Sequence, residues 1–282
     1  MKFHSKPNTY VGHVKIKVQD LSRSLSFYQE VLGFQILEQT DKTAELTTDG
    51  ETSVLSIEQP ENVVPKQGRT TGLYHFALLL PNRSDLADFI THLAALDIKI
   101  GAADHWVSEA IYLSDPDGNE IEIYIDRAPS EWSWNNGEVA SGVDQLNLDD
   151  LLTERTQQSW KGLPAETIMG HVHLYVSELK KTEEFYSEGL GFEVVSRYSD
   201  QALFISTGKY HHHIALNTWM GVGAPAPPSN SVGLESFTII LADEVARNKV
   251  ITQLKSIGAS VTEENGSFIT YDPSGNRIYL GI

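Results

Sequence analysis

The chain carries an internal duplication, and this limits its fold more than any other feature. Residues 12–34 read GHVKIKVQDLSRSLSFYQEVLGF, and residues 170–192 read GHVHLYVSELKKTEEFYSEGLGF. Eleven of these 23 positions are identical without a gap, so the two halves are copies offset by 158 residues. Each copy opens with a strand pattern: Val14, Ile16 and Val18 alternate with polar residues. Leu21, Leu25, Tyr28 and Leu32 then recur at helical spacing. Gly33 stands where a helix closes with a left-handed cap. Extended segments follow at Phe34–Leu37, Ala44–Thr48 and Ser53–Glu58. The unit is a strand, a helix and further strands.

A second repeat lies inside each half. GLYHFALLL at 72–80 matches GLESFTIIL at 233–241, and helical patterns follow at 84–96 and 243–257. Each half then ends in a hairpin, YLSDPDGNEIEIY at 112–124 and ITYDPSGNRIYLG at 269–281. Asp-Pro-x-Gly-Asn is turn chemistry, because Pro fixes φ and Gly or Asn accepts positive φ. The expectation is an α+β protein of four βαβββ modules starting near residues 10, 72, 168 and 233. Modules 1 and 2 form an N-terminal domain over 1–126, and modules 3 and 4 a C-terminal domain over 167–282. Residues 127–166 break the pattern and predict a connector packed on the surface, with one short helix around LDDLL.

Composition narrows the chemistry. The formal net charge of −17 opposes binding to nucleic acid or an anionic membrane. The absence of cysteine removes disulfides, thiolate metal sites and cysteine nucleophiles. Any metal must therefore sit on His, Asp, Glu or Tyr. MKFHSKPNTYVGHVKI has no apolar run with a cleavage site, and no segment reaches the ~20 apolar residues of a membrane span, so a cytoplasmic location is expected.

Two stretches, GHVxxxVxxLxxxxxFYxxxLGF and DPxGNxIE, resemble the vicinal oxygen chelate superfamily, which includes glyoxalase I, bleomycin-binding proteins and type I extradiol dioxygenases. The resemblance covers nearly the whole chain outside the connector. It implies paired modules whose curved mixed sheets form metal-binding cups. A narrower likeness to extradiol dioxygenases runs from His105 through Ile111, Tyr112, Asp115, Pro116 and Gly118 to Glu122. Ala103 departs from that signature, where the family usually has Gly.

The extradiol resemblance implies two histidines and one carboxylate on an iron, a set that leaves positions open for a diol and O₂. The corresponding positions are His13, His75, His171 and Ser236 on first strands, and Glu122 and Tyr279 on last strands. Only module 2 offers both a histidine and a carboxylate, His75 and Glu122. Pairing within the N-terminal half would add His13, and pairing across the halves His171. Module 3 also matches the family's acid–base histidine context in HHHIAL, at His212, whereas module 1 has SVLSI there. The expected set is thus His75, Glu122 and His171 for the metal, with His212, His105 and Tyr112 as catalytic residues. Fe(II) is the implied metal and Mn(II) the second choice. The partners are a small aromatic diol and O₂, with no nucleic acid and no membrane; a homo-oligomer is allowed.

Blander readings compete at each position. A histidine among apolar neighbours, as at His75, is commonly a satisfied core residue. Glu120 and Glu122 share a strand face and could both meet solvent. His173 shares the face of His171 and rivals it. The triple histidine 211–213 could be a polar strand start, and Tyr112 ordinary strand packing. A glyoxalase-like lyase, a hydroquinone dioxygenase and a metal-free drug-binding protein remain as alternative functions. The loop GVGAPAPPSNSVGL, 221–234, reads as a module connector that could border a cup.

Overall fold

The computed structural model describes residues 2–156 and 158–282. Module 1 comprises β1 (Tyr10–Lys17), α1 (Leu21–Ser26), β2 (Gln35–Gln39), β3 (Thr43–Thr47) and β4 (Ser53–Glu58). Module 2 comprises β5 (Gly72–Leu79), α2 (Arg83–Ala95), β6 (Gly101–Asp104), β7 (Ser108–Ser114) and β8 (Glu120–Asp126). The connector holds a two-stranded hairpin, β9 (Trp134–Asn135) and β10 (Glu138–Val139), and a short α3 (Leu148–Leu151). Module 3 comprises β11 (Ile168–Tyr175), α4 (Leu179–Glu184), β12 (Glu193–Tyr198), β13 (Ala202–Ser206) and β14 (Ile214–Asn217). Module 4 comprises β15 (Gly233–Ile240), α5 (Glu244–Ser256), β16 (Val261–Glu264), β17 (Ser267–Tyr271) and β18 (Arg277–Gly281).

Local sequence explains the module helices. Asp20 caps α1 by accepting from Arg23 N–H, which satisfies an amide the helix leaves free. The helical path continues to Leu32 in a wider turn, and Gly33 ends it at φ +89°. A side chain at Gly33 would be strained there. Buried Leu21, Leu25, Tyr28 and Leu32 form the inward stripe.

The strands assemble into two eight-stranded sheets, and each sheet draws from both halves of the chain. One runs β16-β17-β18-β15-β1-β4-β3-β2 and joins modules 4 and 1. The other runs β12-β13-β14-β11-β5-β8-β7-β6 and joins modules 3 and 2. The seams are antiparallel, β1 with β15 and β5 with β11. Contacts between β1 and β11, and between β5 and β15, hold the sheets against each other.

The turns tie the sheets together in a second direction. Asp115 of the DPDGN turn accepts from Asn119 N–H and Asp117 N–H, both at 2.8 Å, and from the Tyr28 hydroxyl at 3.0 Å. Asp272 of the DPSGN turn repeats this with Ser274 N–H, Asn276 N–H and the Tyr186 hydroxyl at 3.1 Å. The tyrosine of the FY pair in one module therefore anchors the hairpin of the next, across the two sheets.

The connector is more deeply embedded than its composition suggests. Trp132, Val139, Leu146, Leu151 and Leu163 are buried. Asp104 and Asp144 bridge the connector to the β6 edge, while β10 lies against β12. It thus covers both edges of the module 2–3 sheet, where unpaired strands would otherwise be exposed.

Removing one buried anchor leaves its carboxylate short of a donor. Tyr28→Phe is expected to lower unfolding stability by about 1.5–3 kcal/mol, the range for hydrogen bonds to charged groups. Urea unfolding read by tryptophan fluorescence measures this; an unchanged midpoint would refute the anchoring role.

Candidate metal centre

The seam between β5 and β11 creates the site. His171 stands opposite Ala77 on one side, and Glu122 opposite Ala77 on the other. His75 lies two residues before Ala77, on the same strand face. Three long side chains thus surround a methyl group, and Ala77 leaves them room to converge. A ladder irregularity between Met169 and His171 re-aims His171, as bulges near functional sites do. Gly170 sits at this break; a Cβ there would overlap the Tyr124 hydroxyl, and the Tyr124 ring lies 5.0 Å from that of His171.

His75 Nε2 lies 3.0 Å from Glu122 Oε2, and His171 Nε2 lies 3.2 Å from the same oxygen. The two Nε2 atoms are 3.3 Å apart. Among the described residues, these three side chains form the group whose donor atoms cluster closely enough to hold a metal ion. All three are buried. The triangle suits an octahedral face. An ion about 2.1–2.2 Å from each atom would see them at roughly 90–100°, below the ~109° of a tetrahedral site. The Nδ1 atoms of His75 and His171 have no hydrogen-bond partner among the described residues. The donor chemistry and spacing fit a divalent ion with half of its positions left open.

The electrostatics agree with that fit. Burial pushes the His171 ring down to about 4 against the pull of Glu122, so the ring is neutral near pH 7 with a lone pair to give. Burial alone would raise the Glu122 carboxyl, but His171 and His75 beside it hold it well below the usual range.

The remaining expected residues gather around the triad. The Tyr112 hydroxyl donates to His105 Nε2 at 2.6 Å, and His105 Nδ1–H donates to the Gly142 carbonyl at 3.0 Å. The Tyr112 ring lies 5.8 Å from that of His75. Burial first, then the Glu122 charge, raise the Tyr112 hydroxyl well above its usual range, so it stays a donor. The His212 ring packs 4.2 Å from that of His171. Residues 211–213 precede β14 and do not belong to a strand, so strand alternation does not set their directions.

The rival residues take other places. His13 lies in the module 1–4 sheet, where it bonds Ser56 at 2.6 Å and approaches Glu45 at 3.6 Å. His173 accepts from Asn217 Nδ2–H at 2.8 Å, and its ring stands 5.0 Å from that of His75. Glu120 accepts from Ser114 at 2.6 Å. Sequence reasoning missed Ala77, Asn217, the aromatic neighbours Tyr74 and Trp219, and the Gly142 carbonyl. The strand pairing that brings them to the site is written across 40 to 140 residues, which no local pattern reveals.

Glu122→Gln should keep the shape and lose the charge. The expected result is loss of tight Fe(II) or Mn(II) binding with little change in thermal midpoint, read by metal analysis after dialysis. Retention of one ion per chain would remove Glu122 from the donor set.

Known proteins resemble this chain over most of its length. A catechol-2,3-dioxygenase of Bacillus subtilis (strain 168) is 44% identical over 269 residues, 94% of this chain and 94% of that protein. A crystal structure assigned as a dioxygenase from Bacillus subtilis subsp. subtilis str. 168 superimposes with TM-score 0.70 at 13% identity, covering 98% of this chain and 86% of that one. Glyoxalase I from Zea mays gives TM-score 0.60 at 18% identity, covering 96% and 92%. At such identities the two structures speak for the fold alone. The family's sequence pattern matches both halves, residues 10–123 and 168–280: the chain belongs to the Glyoxalase/Bleomycin resistance protein/Dioxygenase superfamily.

Proposed function

We propose that this protein is an extradiol-type dioxygenase that opens the ring of catechol or a substituted catechol, using Fe(II), or Mn(II) as second choice, on His75, His171 and Glu122. One observation carries the reading: two imidazole nitrogens and one carboxylate oxygen form a near-equilateral face of 3.0–3.3 Å edges. Such a face leaves three positions, which match two diol oxygens and O₂. The long relative named for catechol-2,3-dioxygenase activity supports the same reading.

When bound, the metal supplies Lewis acidity that lowers the pKa of a coordinated phenol and a redox-active centre for O₂. The chain's own residues do the rest. His212, whose ring packs beside that of His171, would take a phenolic proton. Tyr112 remains protonated and keeps its hydroxyl on His105 Nε2, which fixes both side chains at the rim of the triad. The Gly142 carbonyl holds the His105 ring from the other side. Burial of all three metal-binding candidates restricts water at the reacting atoms. The expected product is the ring opened beside the diol, not between its hydroxyls, with both atoms of O₂ incorporated. Glyoxalase-like lyases usually use two glutamates to shuttle a proton, and among the described residues the candidate metal group contains Glu122 alone.

Turnover of catechol in air by Fe(II)-reconstituted protein tests this reading. A yellow ring-opened semialdehyde is expected. His212→Phe should retain the metal and lower kcat roughly 10²- to 10⁴-fold, the range for a lost general base. No colour from iron-loaded wild-type protein would shift the function to a hydroquinone dioxygenase or a lyase of the same fold.

A further inference from the structure

The face of β8 that carries Glu122 also carries Tyr124 and Asp126, because alternate residues share a side. Asp126 has no place in the metal triad, yet it organises a continuous hydrogen-bonded chain. Its Oδ1 lies 2.8 Å from His211 Nε2 and accepts from the Tyr210 hydroxyl at 3.1 Å. Tyr210 in turn lies 2.8 Å from the Tyr124 hydroxyl. On the other side of the His211 ring, Nδ1 lies 2.8 Å from His212 Nδ1. The His211 side chain is 1% exposed and that of Asp126 21%. Burial and ring packing against Tyr210 and Trp132, with centroids 4.0 and 5.2 Å away, hold His211 in place.

With the Asp126 carboxylate ionised and the His211 ring neutral, proton counting along this chain leaves one arrangement. An ionised carboxylate only accepts, so His211 must present a proton at Nε2. A neutral imidazole has one N–H, so His211 Nδ1 is then a lone pair. Two lone pairs do not bond at 2.8 Å, so His212 must carry its proton on Nδ1. Its Nε2 is then unprotonated, and it makes no hydrogen bond among the described residues. We propose that Asp126 and His211 are positioning residues that hold His212 as the Nδ1–H tautomer, with an unprotonated Nε2 offered to a substrate hydroxyl beside the His171 ring. The use of that base rests on the ring-cleavage reading; the tautomer does not. The arrangement follows a general rule, in which the hydrogen bond at one imidazole nitrogen decides what the other can do.

The two parts separate experimentally. In the full-length chain, labelled with ¹⁵N-histidine and loaded with diamagnetic Zn(II), long-range ¹H–¹⁵N correlation spectra report each tautomer directly. His212 is expected as Nδ1–H in the wild type. His211→Phe keeps an aromatic ring in the stack but removes the acceptor, and Asp126→Ala frees the His211 ring to turn its proton inward. In both variants His212 is expected to lose the Nδ1–H form. The kcat for catechol in the Fe(II)-loaded variants is expected to fall roughly 10- to 100-fold at unchanged KM and iron content, the scale of lost orienting partners. If one variant fails to fold, the other carries the test. An Nε2–H tautomer at His212 in the wild type overturns the proposal, as does an Nδ1–H tautomer and full kcat in either folded variant. A wild type that shows the Nδ1–H tautomer but does not cleave catechol overturns the ring-cleavage reading and leaves the positioning chain standing.

Discussion

The antiparallel pairing of β5 with β11 is the constraint on which the candidate metal centre depends. It joins residues about a hundred positions apart and places His171 and Glu122 on either side of Ala77. A register slip of one residue would turn every side chain to the opposite face and disperse the triad. Several features hold the register. The outward neighbours β8 and β14 pair in parallel with β5 and β11. The break at Gly170 admits the Tyr124 ring, and the Tyr–Asp anchors fasten each hairpin turn to a helix of the other sheet. Hydrogen bonds within a sheet cross between halves, whereas the anchors act within a half. Neither half can complete a sheet alone.

Duplication has produced two sheets of the same order and two different cups. In the module 1–4 sheet the position matching His75 is Ser236, and that matching Glu122 is Tyr279. His13 survives there, but it is engaged by Ser56 and Glu45. Nearby charges are neutralised in pairs, Lys15 with Glu58 and Lys17 with Glu235. One cup concentrates histidines and aromatic rings around a buried carboxylate. In the other, His13, Lys15 and Lys17 are each engaged by neighbouring side chains.

The sequence made the modules legible because each is local. The β1 alternation, the α1 stripe, the Gly33 cap and the DPxGN turns are all encoded within a few residues, and the repeat shows them twice. The identities of His75, Glu122 and His171 were accessible through strand position and family likeness. The HHHIAL context of module 3 also favoured pairing across the halves, but the register that converges the three donor atoms on Ala77 is a long-range choice with no local signature. The connector was hidden for another reason. Trp132, Val139, Leu146 and Leu151 show neither strand nor helix period, and the feature that orients His105 is a backbone carbonyl at Gly142, which has no sequence signature. Asp126 and His211 were visible as residues, but their connection spans 85 positions and depends on β8 and β14 lying in one sheet.

The central claim is that the metal centre spans the seam between modules 2 and 3. The direct measurement is Fe(II) stoichiometry, under anaerobic conditions, of His171→Ala beside His13→Ala, two changes at corresponding positions of the repeat. The account predicts that His13→Ala keeps one iron per chain and His171→Ala keeps none. Loss of iron from His13→Ala with full retention in His171→Ala would contradict it and place the metal between modules 1 and 2.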